Sequence, residues 1–416
     1  MNRRLKVFPR GLLTLGVALT AAVPGCSSGD RAPARAPAPP RSARPVADTA
    51  LPSSSHPLPA PLLGMPPVRD STNIYADAGP GMLDSVARRA RPLVYVPDSK
   101  ADSVTVIDPR SYRVVRTFAV GKLPQHVVPS WDLRRLWVAN NRGNSLTPID
   151  PVTGKEGMPV RVEDPYNLYF TPDGRYAIVV AERLQRLDFR DPRSMALAQS
   201  VPLACRGVDH VEFTVDGRWA LATCEFTGQL VKLDVTARKV VGYLTLDPDG
   251  LGRAAMPQDI RAAPDGRVFY VADMKANGVY LVDPVAFRRV GFLATGTGAH
   301  GIYPSRDGHR LYVANRGWNT IGGGRRGPGS VSVIDPATRS VVATWTLPGG
   351  GSPDMGNVSA DGTELWLSGR YDSEVYVFDT RTGRLTHRIK VGREPHGLTV
   401  WPQPGRYSLG HTGNMR

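Results

Sequence analysis

The sequence predicts an all-β fold, a seven-bladed β-propeller closed by strand exchange, and three observations carry that expectation. An apolar run ending in a small polar step recurs seven times, at 94–98, 136–140, 177–182, 220–225, 269–273, 311–315 and 365–369. Each run is followed by a second strand-like segment that stops at an acid: Asp108, Asp150, Asp188, Asp234, Asp283, Asp335 and Asp379. These acids lie about 45 residues apart on average, the length of a four-stranded blade. A tight-turn signal precedes most of the apolar runs, at Pro172-Asp-Gly174, Asp216-Gly217, Pro264-Asp-Gly266, Asp307-Gly308 and Asp361-Gly362. Asp-Gly supplies the positive φ such hairpins need, so period, turn spacing and repeat count agree. The 416 residues are 41% hydrophobic and 21% charged, with 43 Gly and 38 Pro, which fits one large turn-rich domain and excludes wholesale disorder.

From the N-terminus, Arg3, Arg4, Lys6 and Arg10 form a basic region ahead of an apolar stretch, 11–22, that is too short to span a bilayer. Residues 1–25 are therefore expected to be a signal peptide of the lipoprotein type, since Val23-Pro-Gly-Cys26 resembles a lipobox whose cysteine is acylated. The alternative is an ordinary secretory cleavage that leaves Cys26 unmodified or removed. Arg3-Arg4-Leu5 also resembles a twin-arginine signal, so the export route stays open. Residues 26–68, rich in Pro, Ala and Arg, read as a disordered linker with His56 in solvent. Residues 69–92 read as an extension with a short helix over 82–90, residues 93–405 as the propeller, and 406–416 as a tail with no assigned place. The first apolar run has no inner strand ahead of it, whereas 396–401 is a surplus one, so the C-terminal strand is expected to complete the first blade. The expected location is the extracellular face of the membrane or the periplasm, as a lipid-anchored monomer.

In a blade the inner strand starts at one face and the second strand returns to it, so two sets of loop residues share that face. The first set is Gln125-His126, Tyr166-Asn167, Asp209-His210, Gln258-Asp259, Ala299-His300, Asp354-Met355 and Pro395-His396, which places four of the eight histidines at one repeat position. The second adds Asn140, Arg142, Glu182, Glu225, Asp273, Lys275, Asn315, Arg316, Trp318, Arg370 and Tyr371. The expected ligand-binding residues are His126, Asn140, Arg142, Asp209, His210, Asp259, Asp273, His300, Asn315, Arg316, Asp354, Arg370 and His396. Neutral imidazoles beside Asp suit zinc, copper, nickel or iron, so a divalent metal of unknown identity is left open, but no cofactor is predicted, because opposite sides of a seven-bladed channel are too far apart for all these side chains to share an ion. The competing reading is structural, with Pro-His-Gly turning the chain and each His capping backbone groups. His309 and His387 fall elsewhere in the repeat and are expected to face solvent.

Leu311-Tyr-Val-Ala-Asn315, Ser330-Val-Ser-Val-Ile-Asp335, Pro395-His-Gly-Leu398 and the Pro-Asp-Gly turns resemble those of the YVTN-repeat, YncE-like bacterial β-propellers, over about 93–405. The resemblance implies the fold and is nearly silent on function, because propellers host many chemistries. The leading expectation is a non-enzymatic propeller that binds an envelope ligand or protein partner at its channel mouth. A lactonase-type hydrolase is the second, with His210, Asp259, His300 or His396 as general bases or as ligands of an ion that activates water. Similarity of YVTN repeats to haem d1-binding propellers implies a third, with a channel His as axial ligand. There is no His-Glu-x-x-His, Gly-x-Ser-x-Gly or EF-hand loop, and no catalytic residue is assigned.

Three cysteines exclude a disulfide framework and any Cys-x-x-Cys metal pair. The hairpin at Asp216-Gly217 sets Cys224 roughly opposite Asp209 or His210, with Cys205 farther along the same loop, so the two either form a disulfide or remain separate buried thiols. The glycine-rich 321–329 lacks the Lys-Ser/Thr of a phosphate loop and reads as a lid or basic contact loop. Of the net charge of +15, four charges lie in the first 25 residues, and the remainder implies only non-specific polyanion binding.

Overall fold

The computed structural model describes residues 60–247, 255–411 and 413–416. The expected signal peptide, Cys26, His56 and most of the expected linker lie outside them. Seven antiparallel sheets form the blades, six of four strands and one of five. Blade 1 joins Leu93–Asp98, Ser103–Asp108 and Arg113–Ala119 to Thr399–Trp401, which pairs through Leu93 with Trp401 and Tyr95 with Thr399. The ring thus closes by strand exchange, as the surplus C-terminal strand requires. Blade 2 opens with Pro124–Pro129, and its outer edge is split into Lys155–Glu156 and Val160–Arg161. Blades 3 to 7 open with Pro165–Phe170, Val208–Phe213, Pro257–Ala262, Ala299–Pro304 and Pro353–Val358.

The recurrent sequence features have local causes. A second strand such as Leu311–Asn315 is buried along its whole length, because neighbouring blades cover both of its faces, so it reads as a continuous apolar run. In six blades the Asp that ends the third strand caps the next turn, as where Asp379 Oδ1 accepts from the Thr382 amide at 2.7 Å and Asp335 Oδ1 from that of Ala337 at 2.9 Å; in blade 3 the expected Asp188 instead lies within Arg186–Arg190, paired with both arginines, and Asp191 makes the cap. In the inner turns, Thr214 donates to Asp216 and Ser359 to Asp361, both at 2.6 Å, while Gly217 takes φ 69° and Gly362 φ 82°.

Two expectations outside the blades need correction. Residues 60–68 are not all linker, since Leu62 is buried and its amide donates to Asp216 O at 2.7 Å. No helix spans 82–90; short 3-10 turns lie at Ala76–Ala78 and Ala87–Arg89. Together with Ile74, bonded to Pro264 O, this extension covers the face that carries the Asp-Gly turns. The tail enters the central channel from that face. Phe170 N donates to Leu409 O and His411 N to Leu168 O, both at 3.0 Å, and Arg416 Nη2 reaches Glu212 Oε1 at 2.9 Å.

Cys205 and Cys224 form a disulfide with Cα atoms 5.9 Å apart. A bulge between Val208 and Val211 puts Cys224 opposite Val208, one to two residues from the expected partners. Among the described residues no helix is long and apolar enough to cross a membrane.

Candidate functional site

The site is built by an irregularity repeated in six blades. In blades 2 to 7 the pairing of the first two strands shifts register near the mouth, for example between Pro124 and His126, Val208 and Val211, and Pro353 and Gly356. A bulge bends a strand and re-aims its side chains. Here it accompanies His126, Asn167, His210, Asp259, His300 and Asp354, all of which are buried in the hub. His396, from the closing segment, joins them.

Asp354 organises one side. Its Oδ1 accepts from Arg316 Nε at 2.6 Å and lies 3.1 Å from His300 Nδ1, while Oδ2 lies 2.6 Å from His396 Nδ1. Burial alone would raise this carboxyl, but Arg316, His300 and Arg370 hold it below its usual value, so it is ionised. His396 therefore donates from Nδ1 and presents Nε2 as acceptor to the Tyr166 hydroxyl 3.3 Å away.

The histidines form one cluster. Ring centroids are 4.6 Å apart for His210 and His411, 4.8 Å for His126 and His396, 5.1 Å for His126 and His411, and 5.8 Å for His300 and His396. Burial drives all five imidazoles well below their usual value, so they are neutral. The Asn167 amide nitrogen lies 3.1 Å from His210 Nδ1 and 3.0 Å from His411 Nδ1, and its oxygen accepts from the Leu168 amide at 2.9 Å. His210, Asp259 and His411 each offer a ligand atom within 4.8 Å of the others, which makes them the group able to hold a metal ion among the described residues.

Above the hub, acids and bases sit on opposite rims. Glu182, Asp209 and Glu225 belong to blades 3 and 4, whereas Arg316 and Arg370 belong to blades 6 and 7. Asp209 is 2% exposed, and among the described residues neither carboxyl oxygen accepts a well-formed hydrogen bond, although the Tyr166 hydroxyl lies close enough to lower it and His210 Nε2 lies 3.3 Å from Oδ1. Burial raises Asp209 well above its usual value, and Glu225 and Glu182 add to the effect. Burial also raises Glu225, against the pull of the bond from Gln258 Nε2 at 3.0 Å, and it pushes Glu182 up to about 7. Among the described residues the Arg370 guanidinium makes its hydrogen bond to Gln125, at 3.4 Å, and stays half-buried.

Of the expected residues, His126, Asp209, His210, Asp259, His300, Arg316, Asp354, Arg370 and His396 come together, and Arg142 stands exposed near the rim. Asn140, Asn315 and Asp273 do not line the site. Asn140 donates to Ser145 and Thr147, Asn315 donates to Ser330 and Ser332, and Asp273 accepts from the Met256 and Ala276 amides; all three are clamps within a blade. His309 is exposed, but His387 is half-buried and stacks on Tyr112 with centroids 3.6 Å apart. The loop at 321–329 folds against blade 7, with Arg326 Nη2 on Glu374 at 2.8 Å and Trp318 Nε1 on Gly324 O at 3.1 Å. Sequence reasoning missed His411, whose only signal was an imidazole in a tail outside the repeats.

These features define a seven-bladed propeller with a polar hub, closed at one end and lined by ionisable groups at the other. The chain belongs to the YncE-like β-propeller family, whose model matches residues 71–404. Among curated proteins, none matches the sequence. Its fold is similar to that of hydrazine synthase from Kuenenia stuttgartiensis, at 18% identity and a TM-score of 0.54 over 65% of this chain and 87% of that one. It is also similar to the dihydro-haem d1 dehydrogenase NirN in complex with DHE, at 16% identity and TM-score 0.56 over 82% and 78%. A putative 6-phosphogluconolactonase from Bacteroides uniformis gives 16% identity and TM-score 0.59 over 74% and 98%. At these identities the likeness shows the fold alone.

Proposed function

We propose that the protein is an exported, lipid-anchored propeller that binds an envelope ligand at its channel mouth without catalysing a reaction. The observation that carries this reading is the acidic rim of Glu182, Asp209 and Glu225, where Asp209 is buried with Tyr166 and His210 beside it and, among the described residues, no well-formed hydrogen bond on either oxygen. A buried carboxyl so poorly bonded is costly and uncommon in native proteins. A ligand with a positive group toward these acids and an anionic group toward Arg370 would satisfy both rims. The basic N-terminus and Cys26 support export and anchoring.

The test is a thermal-shift screen of the full chain against divalent metals, haem, lactones, cell-wall fragments and short DNA. A ligand at a hundred times its Kd adds about 2.7 kcal/mol, which moves Tm by a few degrees. The reading expects a shift that Asp209→Asn or Arg370→Ala abolishes. A shift indifferent to both variants would place binding elsewhere, and loss of the DNA shift at raised salt would mark non-specific polyanion binding.

A second reading, a lactonase-type hydrolase, is favoured by the Asp354–His396–Tyr166 chain, in which a carboxylate orients an imidazole whose Nε2 can accept a proton. Lactone turnover lost in His396→Ala would favour it; absence of turnover would leave the binding reading.

A further inference from the structure

We propose that the hub is a transition-metal site in which His210, Asp259 and His411 hold one ion of borderline character, copper, zinc, nickel or cobalt, with His126 as a further donor. This site lies below the mouth and does not rest on the ligand-binding reading.

The spacing supports coordination better than direct bonding. His411 Nε2 lies 3.6 Å from Asp259 Oδ1, too long for a hydrogen bond. Two ligand atoms about 2.0–2.1 Å from a shared tetrahedral ion stand roughly 3.3–3.4 Å apart, so a shift of a few tenths of an ångström brings this pair into range. The carboxylate is divided to suit this role. Asp259 Oδ2 accepts from the Ile302 amide at 2.9 Å and faces Arg261 Nη2 at 3.8 Å, while Oδ1 accepts from the Ile260 amide at 2.9 Å and keeps its second lone pair for the His411 side.

His126 is the independent observation. Its ring is wholly buried and neither nitrogen has a hydrogen-bond partner among the described residues. Nδ1 lies against Gly397, where an added Cβ would come within 2.0 Å of it, so the Nε2 edge is the one turned away from that strand. The ring sits 5.1 Å from His411 and 5.6 Å from His210, centroid to centroid. Neutral imidazoles with one carboxylate are the donor set of borderline ions, whereas calcium and magnesium take oxygen shells. Binding through His411 Nε2 leaves a proton on Nδ1, so loading turns the Asn167 amide to present its oxygen there.

The experiment uses the full chain carrying His56→Ala, His309→Ala and His387→Ala, so that only hub histidines remain, stripped with chelator and loaded with Cu2+ alone. The expected result is one ion per chain, with electron paramagnetic resonance showing coupling to two or more imidazole nitrogens. His411→Gln and His210→Gln should each weaken binding by about 100-fold or more. Failure to retain copper, a spectrum of oxygen ligands only, or unchanged affinity in a folded His411→Gln chain would overturn the proposal. If either glutamine variant fails to fold, the spectrum of the parent chain decides between the two outcomes.

Discussion

His396 Nδ1 lies 2.6 Å from Asp354 Oδ2, and this contact joins the closing segment of the chain to the inner strand of blade 7. The backbone repeats the connection, since His396 N donates to Pro97 O at 3.0 Å and Gly397 N to Gln125 O at 2.8 Å. Ring closure and assembly of the Asp354 network are therefore one event, because the segment that completes blade 1 also delivers an imidazole to the hub.

Truncation after Arg393 removes the closing strand, His396 and the tail together. It leaves Leu93–Asp98 as an unpaired inner edge and Asp354 short of a donor. The expected outcome is loss of the cooperative thermal transition by circular dichroism. An unchanged melting temperature would refute closure as a source of stability.

The seven copies were legible because their signals are local: an Asp that caps the next turn and a Ser/Thr-x-Asp-Gly hairpin are each set by three to five neighbouring residues. The four histidines at one repeat position were legible for the same reason. Asn140 and Asn315 were misread because their direction depends on the adjacent strand. The clue there was the alternation of Ser145 with Thr147 and of Ser330 with Ser332, which supplies paired hydroxyl acceptors. His411 was beyond reach, since its placement depends on a channel that exists only once all blades have folded.

Asn315→Ala should lower stability without altering the mouth. It strips the half-buried Ser330 and the buried Ser332 hydroxyls of an amide donor, at a cost of about 1–3 kcal/mol. Denaturant unfolding should show the loss while ligand shifts persist. Equal stability, or a lost ligand shift at full occupancy of the fold, would return Asn315 to the binding residues.

Reduction of the Cys205–Cys224 bridge should also cost stability. It closes a span of 19 residues, and loops of that size are worth about 3 kcal/mol. Melting with and without reductant, beside Cys205→Ala/Cys224→Ala, should show a fall of several degrees in each case. A double variant as stable as the oxidised chain would mean that the bridge contributes nothing.

Stability should fall as pH rises from about 4.5 to about 7 through Glu182. Its unfolded carboxyl titrates near 4.5 and its folded one near 7, because burial and then Glu225 disfavour the charge. Across that window the native chain holds more protons than the unfolded one, so raising pH favours unfolding, the reverse of a salt-bridged acid. Glu182→Gln should flatten the decline in Tm between pH 5 and pH 7.5. An identical slope in the variant would assign the decline to other groups.

Deleting 406–416 separates the role of the tail from ring closure, which Thr399–Trp401 keeps. The deletion withdraws Arg416 and Asn414 from Glu212 Oε1 and removes the acceptor of the Phe170 amide. Glu212 is fully buried, and breaking a buried pair by removing one partner costs about 3–5 kcal/mol. The shortened chain should therefore still fold cooperatively, at lower Tm, with the hub open to water from the face of the Asp-Gly turns. Hydrogen exchange localises the effect: the Phe170 amide should lose protection, whereas that of Val313, in the covered second strand of blade 6, should exchange only through global unfolding. Uniform loss of protection would instead mean that the tail holds the whole ring together rather than sealing one end of it.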